Sequence, residues 1–183
     1  MKRLFVGIPL SEVLKSNFIP LLNTLSISGV SPVLVQNLHL TVKFLGEVGE
    51  TRVEEIFQKL ERIAQHHSPF SLELKRVGVF PDEKEIHTVW VGVDSNEMIS
   101  LMKETDQELN YLHLNEYKEE IPHLTIARVK VQNDKLPKLI SSYQNTSFGV
   151  QDVTKICLFE SKLTPNGPIY GVLGEFGLKM NLS

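Results

Sequence analysis

Two short stretches of the sequence carry the same set of side chains that could do chemistry together. Residues 37–47 contain His39-Leu40-Thr41-Val42, and residues 122–129 contain His123-Leu124-Thr125-Ile126. Both stretches are rich in β-forming residues, and side chains at positions i and i+2 of a strand point to the same face. Each motif therefore places an imidazole beside a hydroxyl group, with aliphatic side chains on the opposite face.

Two histidines and two threonines around one cleft would suit acid–base chemistry on a phosphate. Imidazole has an unperturbed pKa of about 6.5, so near neutral pH one ring can act as a neutral base and the other as a protonated acid. Threonine hydroxyls can donate hydrogen bonds to the non-bridging oxygens of a phosphoryl group. A 2′,3′-cyclic phosphate fits this set, because water must be activated while one ribose oxygen leaves. Neither step needs a metal.

The elements that must position these motifs indicate an internal duplication. Phe5-Val6-Gly7-Ile8 is echoed 85 residues later by Trp90-Val91-Gly92-Val93, and the His motif recurs after 84 residues. Each half is predicted to contain a strand, a helix, the His-containing strand, a helix and a further strand. The His-containing strands are expected near residues 37–46 and 121–131.

This order of elements predicts an α+β fold with two lobes related by a pseudo-twofold axis. Each lobe is expected to be a mostly antiparallel sheet with helices on its outer face, and the active-site cleft lies between the lobes. No Gly-, Ser- or Pro-rich linker separates the halves, so residues 1–183 are predicted to form a single bilobal domain. At the local level, we predict a helix from Ser11 that kinks or breaks at Pro20, and a helix over residues 51–65 with a Thr51–Glu54 capping box.

Composition excludes several other classes of protein. The net charge of −3 argues against a large basic surface for duplex DNA. Cys157 is the only cysteine, which excludes an intrachain disulfide and a cysteine-rich metal site. No apolar run approaches the roughly 20 residues of a membrane helix, and the apolar run at the start is too short for a signal peptide. A cytoplasmic protein with no membrane partner is expected.

The duplicated His-x-Thr-x signature resembles the two-histidine (2H) phosphoesterase superfamily, and within it the RNA 2′,3′-cyclic phosphodiesterases also called 2′-5′ RNA ligases. The resemblance covers essentially the whole chain. It extends to the residues around both motifs, to Val77-Gly78-Val79-Phe80-Pro81, and to the ending Leu163-Thr164-Pro165-Asn166-Gly167-Pro168-Ile169-Tyr170. The chain departs from the family upstream of the first motif, where Pro32-Val33-Leu34-Val35 replaces a frequent Trp and Pro pair.

The resemblance implies a hydrolase that opens 2′,3′-cyclic phosphates on RNA ends or small nucleotides to leave a 2′-phosphate. A monomer that needs no cofactor is expected. The resemblance also implies that His39 donates a proton to the departing oxygen and that His123 accepts one from water. Thr41 and Thr125 would bind the phosphate, Arg128 would add positive charge, and Phe44 would stack on a base. Strict alternation, however, puts Phe44 and Arg128 on the face opposite the histidines, so they reach the cleft only if each strand bulges.

Two other functions use the same residues. RNA ligation by the reverse reaction would join a cyclic phosphate to a 5′-hydroxyl, and the sequence does not rank the two directions. A non-catalytic module that binds RNA ends is the alternative from another class. The two complete motifs make such a module less favoured, and the acidic net charge gives it no support.

Overall fold

The fold was analysed in a computed structural model that describes residues 1–112, 121–165 and 167–179. These residues form an α+β structure with two antiparallel sheets, as predicted. Its strands and helices follow one another in the order β1 (Lys2–Pro9), α1 (Glu12–Asn17), α2 (Ile19–Thr24), β2 (Val30–Pro32), β3 (His39–Val48), α3 (Val53–His66), β4 (Phe70–Pro81), β5 (Ile86–Asp94), α4 (Asn96–Leu109), β6 (His123–Val129), α5 (Leu136–Ser141), β7 (Ser147–Val153), β8 (Lys155–Thr164) and β9 (Gly167–Gly177).

Each sheet contains one of the two His-containing strands. The His39 sheet has the strand order β3-β1-β8-β9, and the His123 sheet has the order β2-β6-β5-β4-β7. Three strands of each sheet correspond in order, since β3, β1 and β8 take the places that β6, β5 and β4 have in the other sheet. Strand β4 from the first half pairs with β5, whereas β8 from the second half pairs with β1. Each sheet is therefore built from both halves of the chain.

The core explains which face of each His-containing strand points inward. Leu40 and Val42 of β3 are buried, and so are Leu124 and Ile126 of β6, whereas the histidines and threonines between them are only partly buried. Helix α3 packs on β8 and β9, α4 packs on β3, and α5 packs on β4. The aliphatic positions of both motifs thus join a single core, and β3 and β6 approach each other with their polar positions outside it.

Several local predictions need correction. Ser11 does cap α1, since its hydroxyl accepts a hydrogen bond from the Leu14 amide at 3.2 Å. The break after α1 falls at Phe18 rather than at Pro20, and Pro20 lies in the first turn of α2, where a missing N–H costs little. The prediction of a Thr51–Glu54 capping box is wrong. Thr51 lies inside a 3₁₀ turn, and α3 starts only at Val53 without a side-chain cap.

Two strands were not predicted. Strand β2 has only three residues and lies in a segment expected to be a loop. Strand β7 buries Phe148 and Val153 but also buries Gln151 and exposes Val150, so its apolar residues do not follow a regular alternation. Asn166 of the predicted turn lies outside the described residues. None of the helices that the structure describes has the length and hydropathy needed to span a membrane.

Candidate active site

His39 and Thr41 lie at the start of β3, on the face of the His39 sheet that points away from the core. The imidazole of His39 packs between aromatic rings, with ring centroids 4.7 Å from Phe5 and 5.0 Å from Tyr170. The contact with Tyr170 is edge-to-face, a favourable geometry for aromatic pairs. The ring of His39 is therefore held in one orientation by its neighbours on β1 and β9.

His123 and Thr125 occupy the corresponding positions of β6. The imidazole of His123 lies 5.1 Å from the ring of Phe80, edge-to-face, and 6.3 Å from that of Trp90. The indole of Trp90 in turn lies over Gly78, where a Cβ atom would come within 2.3 Å of its Cζ2. Glycine at position 78 thus provides the space in which the aromatic support of His123 sits.

Both histidines make the same hydrogen bond to the backbone. The Nδ1 atom of His39 lies 2.7 Å from the carbonyl oxygen of Asn37, and that of His123 lies 2.7 Å from the carbonyl of Ile121. A carbonyl can only accept, so Nδ1 carries the hydrogen in both rings. Each neutral ring therefore has an unprotonated Nε2 that can take up a proton, and each charged ring has an Nε2–H that can donate one.

A β-bulge in each His-containing strand turns Phe44 and Arg128 toward the cleft. In β3, Thr41 pairs with Gly7 but Lys43 pairs with Val6, which leaves Val42 as an extra residue. In β6, Thr125 pairs with Trp90 but Ala127 pairs with Val89, which leaves Ile126 extra. One extra residue shifts the alternation, so the side chain three positions after each threonine shares its face.

The sequence-predicted residues meet in a cavity of about 480 Å³. Five of the six, His39, Thr41, Phe44, Thr125 and Arg128, line it. His123 is not among the lining residues, and it lies two positions before Thr125 on the same face of β6. The remaining lining residues come from the β2 region, the end of β6 and the turn into β9: Ser31, Pro32, Val33, Leu34, Asn37, Lys130, Pro165, Gly167, Pro168 and Tyr170.

The cavity is positively charged in an otherwise acidic protein. Arg128 and Lys130 line it, and no Asp or Glu appears among its described lining residues. The guanidinium of Arg128 is fixed by a 2.7 Å hydrogen bond that its Nη1 donates to Thr88 Oγ1. Lys43 does not contribute, because it forms an ion pair with Asp106 of α4 on the core side of β3. The arrangement is suited to binding a small anion.

Burial changes the protonation of His39. Desolvation lowers the pKa of this imidazole below its usual value, and the hydrogen bond to the Asn37 carbonyl offsets part of the effect. The ring is therefore mainly neutral near pH 7 in the ligand-free protein. An anion bound against Nε2 would raise the pKa again, because a nearby negative charge favours the protonated ring.

Comparison with known proteins identifies the family. Residues 8–90 and 91–170 match the LigT-like phosphoesterases, and each matched segment contains one His-x-Thr-x motif. The chain belongs to this family. The 2H phosphoesterase resemblance read from the motifs is confirmed.

Similar proteins of this family cover the chain almost completely. A Methanocaldococcus jannaschii protein named RNA 2′,3′-cyclic phosphodiesterase is 38% identical over 176 residues, covering 95% of this chain and 99% of its own length. An Archaeoglobus fulgidus protein of the same name is 36% identical over 176 residues with the same coverage. A crystal structure of a Thermus thermophilus protein superimposes with a TM-score of 0.84 at 27% identity, covering 96% of this chain and 97% of that one.

Sequence reasoning missed the aromatic support of both histidines in this phosphoesterase. Phe5 and Trp90 were noted only as markers of the duplication, yet they occupy matching positions beside His39 and His123. Their common offset of 85 residues was a usable signal. Asn37 was also missed: its Nδ2 donates a 2.8 Å hydrogen bond to the carbonyl of Pro168 and so ties the turn before Tyr170 to the start of β3.

No group of three or more His, Cys, Asp or Glu side chains within residues 1–112, 121–165 and 167–179 is arranged to hold a metal ion. His66 and His67 instead contact the carboxylate of Glu104 at 2.7 and 2.9 Å, which ties the end of α3 to α4. These two histidines have a structural role away from the cavity.

Proposed function

We propose that this protein hydrolyses 2′,3′-cyclic phosphates at RNA 3′ ends to 2′-phosphates by a metal-independent, two-histidine mechanism. The observation that carries the proposal is the matched pair of imidazoles, each with Nδ1–H held by a carbonyl and each followed by a threonine on the same strand face. The names of the Methanocaldococcus and Archaeoglobus relatives support the choice of substrate.

In the proposed reaction His123 acts as the base and His39 as the acid. The Nε2 atom of His123 takes a proton from water, whose oxygen forms a new bond to phosphorus. The bond between phosphorus and the 3′ oxygen breaks, and Nε2–H of His39 protonates the departing oxygen. The product carries a 3′-hydroxyl and a 2′-phosphate. Each proton transfer is typically worth about 10²–10⁴-fold in rate.

The cavity provides donors for the phosphate while its charge develops. In this proposal the hydroxyls of Thr41 and Thr125, which line the cavity, donate to non-bridging oxygens, and Arg128 adds a fixed positive charge beside them. The two imidazoles account for both proton transfers of the proposed reaction, and no step is assigned to a metal. The exposed ring of Phe44 offers a face on which the terminal base can stack.

The lowered pKa of His39 adds a condition to its role as the acid. In the ligand-free protein the neutral ring is favoured, which by itself would suit a base rather than an acid. The cyclic phosphate carries a negative charge, and its arrival beside His39 favours uptake of a proton. In this proposal the substrate therefore brings the acid into its active protonation state.

The test is an oligoribonucleotide that ends in a 2′,3′-cyclic phosphate, incubated with excess EDTA. We expect ring opening in the presence of EDTA, and a fall in kcat of about 10²–10⁴-fold for each of His39→Ala and His123→Ala. His87→Ala is the matched control, because His87 is exposed, does not line the cavity and has its Nε2 atom 3.1 Å from Oε1 of Glu85. This variant should retain wild-type activity.

Three results would count against the proposal. Loss of all activity on adding EDTA would exclude a metal-independent reaction. Binding of the oligonucleotide without turnover would instead favour a module that only binds RNA ends. Full activity in either His→Ala variant would remove that residue from the mechanism, and a pH–rate profile that stays flat between about pH 5 and 8 would argue against an acid–base pair of histidines.

A further inference from the structure

A second cavity, of about 460 Å³, adjoins the candidate active site. Phe44, Arg128, Pro168 and Tyr170 line both cavities and form the boundary between them. Arg3 and Ser161 line only the second, and neither motif histidine nor motif threonine reaches it. An occupant of this cavity is therefore not the reacting phosphate, but it lies close enough to be covalently attached to it.

The second cavity also has a positively charged lining that suits an anion. Arg3 and Arg128 are its charged lining residues, and no carboxylate is found among its described lining residues. Neither arginine forms an ion pair with a carboxylate of residues 1–112, 121–165 or 167–179, whereas the neighbouring Lys2 pairs with Glu160 at 3.4 Å. An arginine without an acidic partner keeps N–H groups that can donate to a pair of phosphodiester oxygens, and Arg128 retains such groups beside the Nη1–H that it donates to Thr88.

The fields of the two arginines converge at Tyr170. Burial raises the pKa of this phenol, and the positive charges of Arg128 and Arg3 act in the opposite direction. Arg3, Arg128 and Tyr170 line the same cavity, so both positive charges act on this phenol. A phosphate placed near Tyr170 would experience both charges at once.

Phe44 provides an aromatic surface between the two cavities. Its side chain is 53% exposed, and it is the only phenylalanine among the exposed large apolar residues that the structure describes. A ring that borders two cavities can stack on a base from either side, and such stacking is typically worth about 1–3 kcal/mol per base. Exposing an aromatic ring to water costs free energy when no ligand covers it. The position of the ring between the two cavities suits stacking on successive bases of a single strand.

We propose that the second cavity binds the nucleotide that precedes the cyclic one, with Arg3 and Arg128 contacting the phosphodiester that joins the two. This inference rests on the proposed function and adds a second subsite, through which the enzyme binds the preceding nucleotide of the RNA strand. Ser161 supplies a further hydrogen-bond donor in the same cavity. Arg3 then acts as a specificity residue that does not touch the reacting phosphate.

The experiment compares a nucleoside 2′,3′-cyclic phosphate with a dinucleotide that ends in the same cyclic nucleotide. The wild type should have the higher kcat/KM on the dinucleotide. Arg3→Gln should lower kcat/KM on the dinucleotide by about tenfold, the size expected for one charged hydrogen bond, and change the mononucleotide value by less than about twofold. Arg62→Gln, an exposed arginine of α3 outside both cavities, is the control and should change neither value.

A dinucleotide with an uncharged methylphosphonate linkage isolates the contact. If Arg3 binds the linking phosphate, Arg3→Gln should have no effect on this analogue. An equal loss on mononucleotide and dinucleotide would mean that Arg3 acts on the active site itself, and no loss on either would remove it from binding. Both results would overturn the proposal.

Binding measurements keep this inference separate from the proposed function. The affinities of the dinucleotide and the mononucleotide that carry a terminal 2′-phosphate can be measured without turnover. Arg3→Gln should lower the affinity for the dinucleotide and leave the affinity for the mononucleotide unchanged. If the wild type hydrolyses neither cyclic substrate, the proposed function fails, whereas equal affinities of Arg3→Gln and wild type for the dinucleotide overturn the second subsite alone.

Discussion

At the scale of single residues, the two histidines are equivalent in their hydrogen bonds but not in their surroundings. Both donate Nδ1–H to a carbonyl two residues earlier. His39 is enclosed by Phe5 and Tyr170, and this burial is what lowers its pKa. The duplicated motif has thus been placed in two different environments, which is a physical basis for dividing acid and base roles between two identical side chains.

The lowered pKa of His39 makes a prediction about stability. Its folded-state pKa lies below the unfolded value of 6.5, so the unfolded chain binds more protons in this range. Its contribution to the free energy of unfolding is therefore complete above about pH 6.5 and is lost as the pH falls through the folded pKa. The free energy of unfolding of the wild type and of His39→Gln, measured by urea titration at several pH values between about 4.5 and 8, gives this contribution.

We expect the wild type to lose more stability than His39→Gln as the pH falls below about 6.5. His87→Gln removes an exposed histidine instead, and its stability should follow that of the wild type across the same range. Parallel curves for wild type and His39→Gln would mean that the imidazole of His39 is not desolvated in the folded state.

Individual site residues could be predicted from the sequence where two copies of a motif could be compared. His39, Thr41 and their counterparts were selected from residue type and spacing alone. The aromatic neighbours were not, because Phe80 and Tyr170 reach the histidines only through strand pairing over long sequence distances. Spacing along one strand cannot encode a contact with another.

At the scale of secondary-structure elements, the two bulges decide which side chains reach the cavity. Without Val42 and Ile126 as extra residues, Phe44 and Arg128 would point to the core side of their strands. The sequence showed that Phe44 and Arg128 reach the cavity only if their strands bulge, but it could not show whether they do. A bulge contains the same residue types as a regular strand. Strand β7 was missed for a related reason: the Oε1 atom of its buried Gln151 accepts a 2.9 Å hydrogen bond from the Ser11 amide, which is far away in sequence, while its Nε2 donates to the neighbouring Asp152 carbonyl at 2.7 Å.

The hairpin of β4 and β5 can be tested through Gly78. A Cβ atom at this position would lie 2.3 Å from Cζ2 of Trp90, so Gly78→Ala must move the indole that supports His123. Misplacement of a catalytic group by about 1 Å can cost about 10²-fold, and we expect kcat/KM to fall by about 10- to 10²-fold. Trp90 is the only tryptophan, so a changed emission spectrum should accompany the loss.

The matched control is Gly177→Ala at the end of β9, where an added Cβ meets no atom within 4 Å. It should leave both the emission of Trp90 and the activity unchanged. If Gly78→Ala keeps full activity while the emission shifts, the position of Trp90 is not important for His123.

At the scale of the whole molecule, the duplication does not produce two independent halves. The sequence predicted two lobes correctly, but it gave no indication that β4 and β8 are exchanged between them. Equivalent strands of a duplicated sequence can pair within their own half or across to the other, and the local pattern is identical in both cases. Only the packing of the complete chain distinguishes these arrangements.

The exchange predicts that the two sheets unfold together, and the chain has one natural probe in each. Trp90 lies on β5 of the His123 sheet, and Cys157 lies fully buried on β8 of the His39 sheet, between β1 and β9. Burial raises the pKa of the Cys157 thiol to about 11, so the folded protein should react very slowly with thiol reagents.

Loss of either sheet removes strands that the other half of the chain needs, and both sheets share one core. In a urea titration, the midpoint of Trp90 fluorescence and that of pulsed Cys157 labelling should therefore coincide, as in a two-state transition. Labelling of Cys157 at urea concentrations where Trp90 emission is still native would show that the His39 sheet opens on its own, and that strand exchange does not couple the lobes.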